Sequence, residues 1–240
     1  MIKNKIYSFV LMSLCVGMHF ENAAQGYFQL SYDRALYECD NLNRSVYVYN
    51  YTRQWLTDKM DYFGHSQGFQ MSYGYLRESL GFEIGLIQHF ETHKAWGLEP
   101  DSGHDGYRRF EYYNYGYYIA FPLRFVHEEK VDFIFWPAFK MTKNSINLTY
   151  ATNPEFDNAN SETVVNQGSP GIDLGLAVRY FPLKWLGFEL RPNLGFNFHQ
   201  ADVSPVQIYL QGAWSSAYFY DSFMRKGITF SMIFANRKSY

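Results

Sequence analysis

The sequence predicts an all-β fold: an antiparallel, up-and-down β-barrel of about eight strands that spans a membrane. Three observations lead there. Long segments alternate apolar and polar residues; the connections between them are sorted into short and long; and aromatic residues make up 20% of a 240-residue chain, with 22 Tyr and 22 Phe. A mean hydropathy of −0.33 excludes a bundle of apolar membrane helices. It suits a barrel, which shows lipid only every second residue. Two interfacial belts of amphipathic rings would use the aromatics.

The strands are expected at 26–32, 68–77, 80–93, 107–121, 131–143, 169–181, 186–200 and 227–235. The seventh shows the logic best. Phe188, Leu190, Pro192, Leu194, Phe196 and Phe198 share one face, and Glu189, Arg191, Asn193, Gly195, Asn197 and His199 share the other. In a soluble sheet the apolar face would be the core; in a barrel it meets lipid and the polar face points inward. The sixth strand sets Ile172, Leu174, Leu176, Val178 and Tyr180 against Asp173, Gly175, Ala177 and Arg179. The third sets Phe82, Ile84 and Leu86 against Glu83 and Gly85, and the last sets Ile228, Phe230, Met232 and Phe234 against Thr229 and Ser231. The fourth and fifth strands are ambiguous in face, because "FEYYNYGYYIAF" is aromatic on both sides and Trp136 competes with Phe135 for lipid. Pro137 and Pro192 fall inside strands, where each removes a ladder donor, and are expected at bulges.

The connections at 33–67, 94–106, 144–168 and 201–226 are the expected external loops, opposite a tight turn at Glu78-Ser79 and the short segment "PLKW". In the first loop, Val46, Tyr49, Arg53, Leu56 and Met60 recur at helical spacing, as a lid helix or a partner-binding element would have them. The last loop holds an apolar insertion, 204–223, expected at the outer-leaflet interface or against the first loop. Residues 1–24 carry Lys3 and Lys5, an apolar run and small residues at Ala23 and Ala24, the pattern of a secretory signal peptide. Residues 25–240 then form the barrel domain, with Cys39 as its sole cysteine and no internal disulfide.

Signal peptide, sorted loops and the closing strand "GITFSMIF" together resemble the small outer-membrane β-barrel proteins of Gram-negative bacteria, Bacteroidetes-like in character. The resemblance covers about Gly26 to Phe234. It implies residence in the bacterial outer membrane, with outer-membrane lipid and lipopolysaccharide as partners and a surface or secretion-system protein as a further one. Nucleic acid is not expected at a net charge of −2. Members commonly end on an aromatic residue, a position that Phe234 or Tyr240 would fill.

No catalytic constellation, cofactor site or metal site emerges. In "HFETH", His89 and His93 would share a face on a helix, but on a strand they stand roughly 13 Å apart, too far to share an ion. "SGHDG", 102–106, is ordinary turn chemistry. The strongest constellation is an interior charge network of Glu83, Asp173, Arg179, Glu189, Arg191 and His199. Glu189 is expected to pair with Arg179, and Arg191 with Glu83 or Asp173. Such a network makes a plug or a selectivity gate. The expected role is therefore non-enzymatic: structural, surface-interacting or assembly-supporting. A transport barrel for small or apolar solutes is the first alternative and a lipid-modifying enzyme the second.

Overall fold

The computed structural model describes residues 25–100, 103–156, 159–211 and 218–235. The expected signal peptide, Ser102 and the terminal Tyr240 lie outside the described residues.

Eight antiparallel strands close into a ring. They are β1 (Gln25–Tyr37), β3 (His65–Arg77), β4 (Leu80–Leu98), β5 (Asp105–Ala120), β7 (Val131–Ala151), β8 (Asn160–Leu183), β9 (Leu186–Asn197) and β12 (Arg225–Ala235). Each pairs with the next, and β1 pairs with β12, as in Tyr32↔Phe230, to close the barrel. Closure leaves the ring no edge, which is what lipid demands of a sheet. The short β6 (Leu123–His127) continues the line of β5 below Pro122 and pairs with β7. The other short strands, β2 (Leu56–Asp58), β10 (Ala201–Asp202) and β11 (Tyr220–Asp221), lie in the external loops with helices α1 (Asp40–Thr52) and α2 (Ser204–Gln211).

Turns at 78–79, 128–130 and 184–185 mark one end, where both ends of the barrel chain also emerge. Four connections mark the other. Two expected loops are shorter than the sequence reading, because β4 and β5 continue into 94–106 and β7 and β8 into 144–168. Above lipid a strand no longer needs an apolar face, so alternation fades while the hydrogen-bond ladder persists. The two prolines are not at bulges. Trp136↔Gly175, Pro137↔Leu174 and Ala138↔Asp173 run in one register. Opposite Pro192 the β8–β9 ladder lapses after Gly175↔Asn193 and resumes at Val178↔Leu190, again without a shift. The missing N–H removes a bond and leaves the pairing where it was.

The faces follow the alternation. Leu30, Phe69, Leu176, Leu190 and Phe230 are exposed on the outside, while Gln29, Asp33, Glu83 and Thr229 are fully buried inside. Trp136, Tyr112 and Tyr118 turn inward, which settles the ambiguous fourth and fifth strands. Outward apolar residues from Phe133 to Met141 on β7 cover about nine positions, or roughly 23 Å at a tilt of ~40°, the height of a hydrocarbon layer.

Candidate functional site

The interior is layered. At the periplasmic end Tyr27, Leu76, Ile134, Ala177, Phe181 and Ile233 form an apolar floor. At the external end a larger apolar cluster joins the barrel wall, through Phe110, Tyr112, Ile146 and Leu148, to the loops. Helix α1 supplies Leu42, Val46 and Tyr49 to that cluster, α2 supplies Val206 and Leu210, and Leu56, Met60 and Phe223 fill the remainder. The lid helix is thus a cap packed into the barrel mouth. It ends at Thr52, so Arg53 and Met60 follow in irregular chain and Leu56 opens β2. Arg53 stacks over the Tyr49 ring at 4.4 Å and donates to the Leu210 carbonyl at 2.7 Å, tying α1 to α2.

Between floor and cap lie two groups of four charges. In the lower one, Arg179 Nε meets Glu189 Oε2 at 2.6 Å, and its guanidinium lies 3.6 Å from Glu83. Glu83 also accepts from the Tyr27 hydroxyl at 2.7 Å and the Tyr118 hydroxyl at 2.6 Å. Arg191 pairs with neither Glu83 nor Asp173. It lies over the Trp136 ring at 3.7 Å, donates to Gln70 at 3.0 Å and sits 3.4 Å from Glu189. The inward turn of Trp136 offers it an aromatic face, and Glu189 one position below is nearer than either expected acid.

Asp173 belongs to the upper group. Arg225 reaches Asp173 at 2.5 Å and Asp33 at 2.8 Å, and Lys140 stands 2.9 Å from Asp173. His89 Nε2 lies 2.7 Å from Asp33, and Gln70 bridges toward the lower group by donating to Asp33 at 3.1 Å. Each group has two acids and two bases: Glu83 and Glu189 against Arg179 and Arg191, then Asp33 and Asp173 against Lys140 and Arg225. Desolvated charges need such matching, because an unpaired one costs several kcal/mol.

His199 is not in the network. It is exposed beyond the end of β9 at Asn197. The strand stops two residues before the alternation suggests, so the inward phase no longer applies. The upper group's other members were missed for the same kind of reason. Asp33 lies one residue past the expected end of the first strand, Arg225 two before the expected start of the last, and Lys140 on a strand whose faces the aromatics obscure. Extending the polar phase of Gln29 and Ser31 by one step would have found Asp33. His93 serves a different group from His89: its ring meets Glu91 at 2.8 Å and stands edge-on to Phe63. Among the described residues no three His, Cys, Asp or Glu side chains are placed to hold a metal ion.

A crevice of about 1230 Å³ is lined mainly by outward side chains such as Leu30, Phe69, Met71, Leu86 and Phe230. It belongs to the lipid-facing belt and not to the lumen. A closed antiparallel barrel with an apolar outer belt and sorted loops is an outer-membrane architecture, and the chain resides in the bacterial outer membrane.

No protein-family model matches the chain, and no curated protein does. Among solved structures, it is similar to Neisserial surface protein A, with 12% identity, a TM-score of 0.48, and coverage of 90% of this chain and 99% of that one. Ail, the attachment invasion locus protein of Yersinia pestis, shows 12% identity, a TM-score of 0.40, and coverage of 89% and 99%. The outer-membrane protease OmpT of Escherichia coli shows 6% identity, a TM-score of 0.34, and coverage of 90% and 95%. No residue role passes from any of them to this chain.

Proposed function

We propose that the protein is a non-enzymatic, non-conducting scaffold of the outer membrane that presents its external cap and loops for surface interaction or assembly support. The observation that carries this reading is the layered interior: two charge-balanced groups enclosed between an apolar floor and an apolar cap. A selectivity filter needs a surplus of one sign along a wet path, whereas here the charges neutralise one another. An eight-stranded barrel is also just wide enough for its own side chains to fill. The external face of the cap carries the exposed rings of Tyr47, Tyr51 and Tyr218, apolar surface of the kind a partner covers.

Conductance across planar bilayers tests the reading. Purified protein should insert and leave conductance at the baseline; steady unitary steps would establish the transport alternative instead. Mass analysis of lipid A from cells with and without the protein should show no change, and a new or missing acyl chain or phosphate would establish the lipid-modifying enzyme.

A further inference from the structure

Three non-glycine residues among those described have a positive φ: Glu78 at 34°, Phe156 at 59° and Phe223 at 46°. Glu78 stands in a tight turn and Phe156 is half-buried in a loop, whereas Phe223 is 2% exposed, deep in the barrel mouth. A bulky L side chain is strained in this region because its Cβ crowds the following carbonyl. The neighbours of Phe223 hold it there. Asn197 Nδ2 donates to both the Ser222 carbonyl at 3.0 Å and the Phe223 carbonyl at 3.2 Å. The Phe223 N–H donates to the Glu38 carbonyl at 3.1 Å, and the Glu38 N–H to the Met224 carbonyl at 3.0 Å. The Phe223 ring lies parallel to Tyr112, with centroids 5.1 Å apart and planes within 5°. Tyr112 in turn stands edge-on to Tyr37 at 5.6 Å, and Tyr37 to His89, beside the upper charge group, at 6.1 Å.

Phe223 is the middle one of three buried residues that alternate along a short strap, with Ser222 and Met224 half-buried between them. Asp221 holds the N-terminal end of α1 through the N–H groups of Asn41 and Leu42. Arg225 bonds Asp33 and Asp173 in the upper charge group. Phe223 seals the space between. Five residues thus join the external cap to the interior charges, with a strained residue at their centre. Strain of this kind is carried only in the conformation that imposes it, so it lowers the cost of leaving that conformation.

We propose that Asp221–Arg225 is a latch and the cap a lid poised to open. When the cap lifts, Phe223 leaves Tyr112, its backbone relaxes to an ordinary φ, and water reaches the upper charge group from outside. The apolar floor of Tyr27, Leu76, Ile134 and Phe181 stays in place, so opening makes an external vestibule and not a channel. This adds a regulated step to the scaffold reading, on which it rests: a partner that binds the cap more tightly when it is lifted shifts the population toward the open state.

A thiol introduced by Ser169→Cys reports the opening. Ser169 is 2% exposed and faces inward on β8, two residues nearer the external end than Gly171, the partner of Lys140. In the purified, folded barrel an impermeant maleimide should label this position slowly, with peptide mass separating it from Cys39. In the same background Asn197→Ala, which removes both carbonyl clamps and leaves the ring, should speed labelling about tenfold, equal to about 1.4 kcal/mol. Phe223→Ala should speed it as well. Phe223→Gly should label about fivefold more slowly than Phe223→Ala, because glycine takes a positive φ without strain. Labelling of Asn197→Ala at the rate of the parent, or of Phe223→Gly as fast as Phe223→Ala, would overturn the latch. The glycine and alanine pair decides the matter even where Asn197→Ala does not fold. Planar-bilayer conductance separates the two levels: a conducting variant would overturn the vestibule and the non-conducting reading together, while the labelling rates bear on the latch alone.

Discussion

Arg179 and Glu189 stand directly opposite one another on β8 and β9 and meet through a 2.6 Å hydrogen bond inside the barrel. The pair is one side of the lower charge group. Arg179 also packs over the Tyr27 ring at 4.4 Å and approaches Glu83, so one guanidinium serves two buried carboxylates. Arg179→Ala should therefore destabilise the barrel by about 3 to 5 kcal/mol. Replacing both partners, as Arg179→Met with Glu189→Leu, should cost less than the single change, because it removes one charge of each sign and leaves Glu83 and Arg191 balanced, whereas Arg179→Ala leaves two acids against one base. Urea unfolding in lipid, followed by the heat-dependent shift in gel mobility, measures both. A double variant as unstable as the single one would show that packing and not charge dominates here.

The two faces of β12 should respond in opposite ways to polarity. Phe230→Arg places a charge among acyl chains and should cost about 2 to 4 kcal/mol near the bilayer midplane. Thr229, one residue away, is fully buried and accepts from the Asn193 amide at 2.9 Å while donating to Asp33 at 3.3 Å. Its replacement by Val, which alternation alone would rate as mild, should cost about 1 to 3 kcal/mol by leaving polar groups unsatisfied. Unfolding of the two variants side by side decides it, and a neutral Phe230→Arg would mean that this face does not meet lipid.

The cap depends on a contact between distant loops. Cys39 at the head of α1 provides no side-chain cap. Asp221 does so instead, accepting the backbone N–H groups of Asn41 at 3.0 Å and Leu42 at 2.8 Å. Asp221→Ala should loosen α1 by about 0.5 to 2 kcal/mol, visible as faster hydrogen exchange across 40–52 with the barrel strands unchanged. Unchanged exchange in α1 would mean that packing alone holds the helix.

Acid should not release that cap. Burial raises the Asp221 carboxyl above its ordinary value, although the two N–H donors pull it down. A raised carboxyl contributes stability that is fully present below the unfolded value of about 3.9 and is lost as pH rises through the higher native value. Protection of α1 should accordingly increase on acidification through that window, and Asp221→Asn should abolish the dependence. A cap that opens with acid in the wild type but not in Asp221→Asn would reverse the sign.

Topology can be read with impermeant thiol reagents. Cys39 gives no background, because it is buried and its thiol is pushed up to about 12 by burial first and by Asp221 and Glu91 next. Lys59→Cys, exposed in the first external loop, should label on intact cells, and Lys184→Cys in a short turn should label only after lysis. The opposite result would invert the barrel. Asn158 and Asp101, loop positions with the same expectation, lie outside the described residues.

What the sequence determined by itself was the barrel, its strand number and the direction of most side chains. A strand in lipid repeats every two residues, and six apolar positions in phase, as from Phe188 to Phe198, leave no alternative register. Alternation also brought Arg179 and Glu189 to one face. It could not determine where strands stop, since ladders outlast the lipid and say nothing in hydropathy. Hence Asp33 and Arg225 were left outside the expected strands and His199 was placed within one. Nor could it say which charges meet across the lumen. Arg191 was drawn to Trp136 and Gln70, and Asp173 to Arg225 and Lys140, because shear between strands sets which inward residues share a level, and shear is a property of the closed ring. The cap was decided in the same way: Leu42, Val46 and Tyr49 make an apolar face on any helix, but only the tertiary structure supplies the barrel mouth that buries it and the Asp221 carboxylate that holds its end.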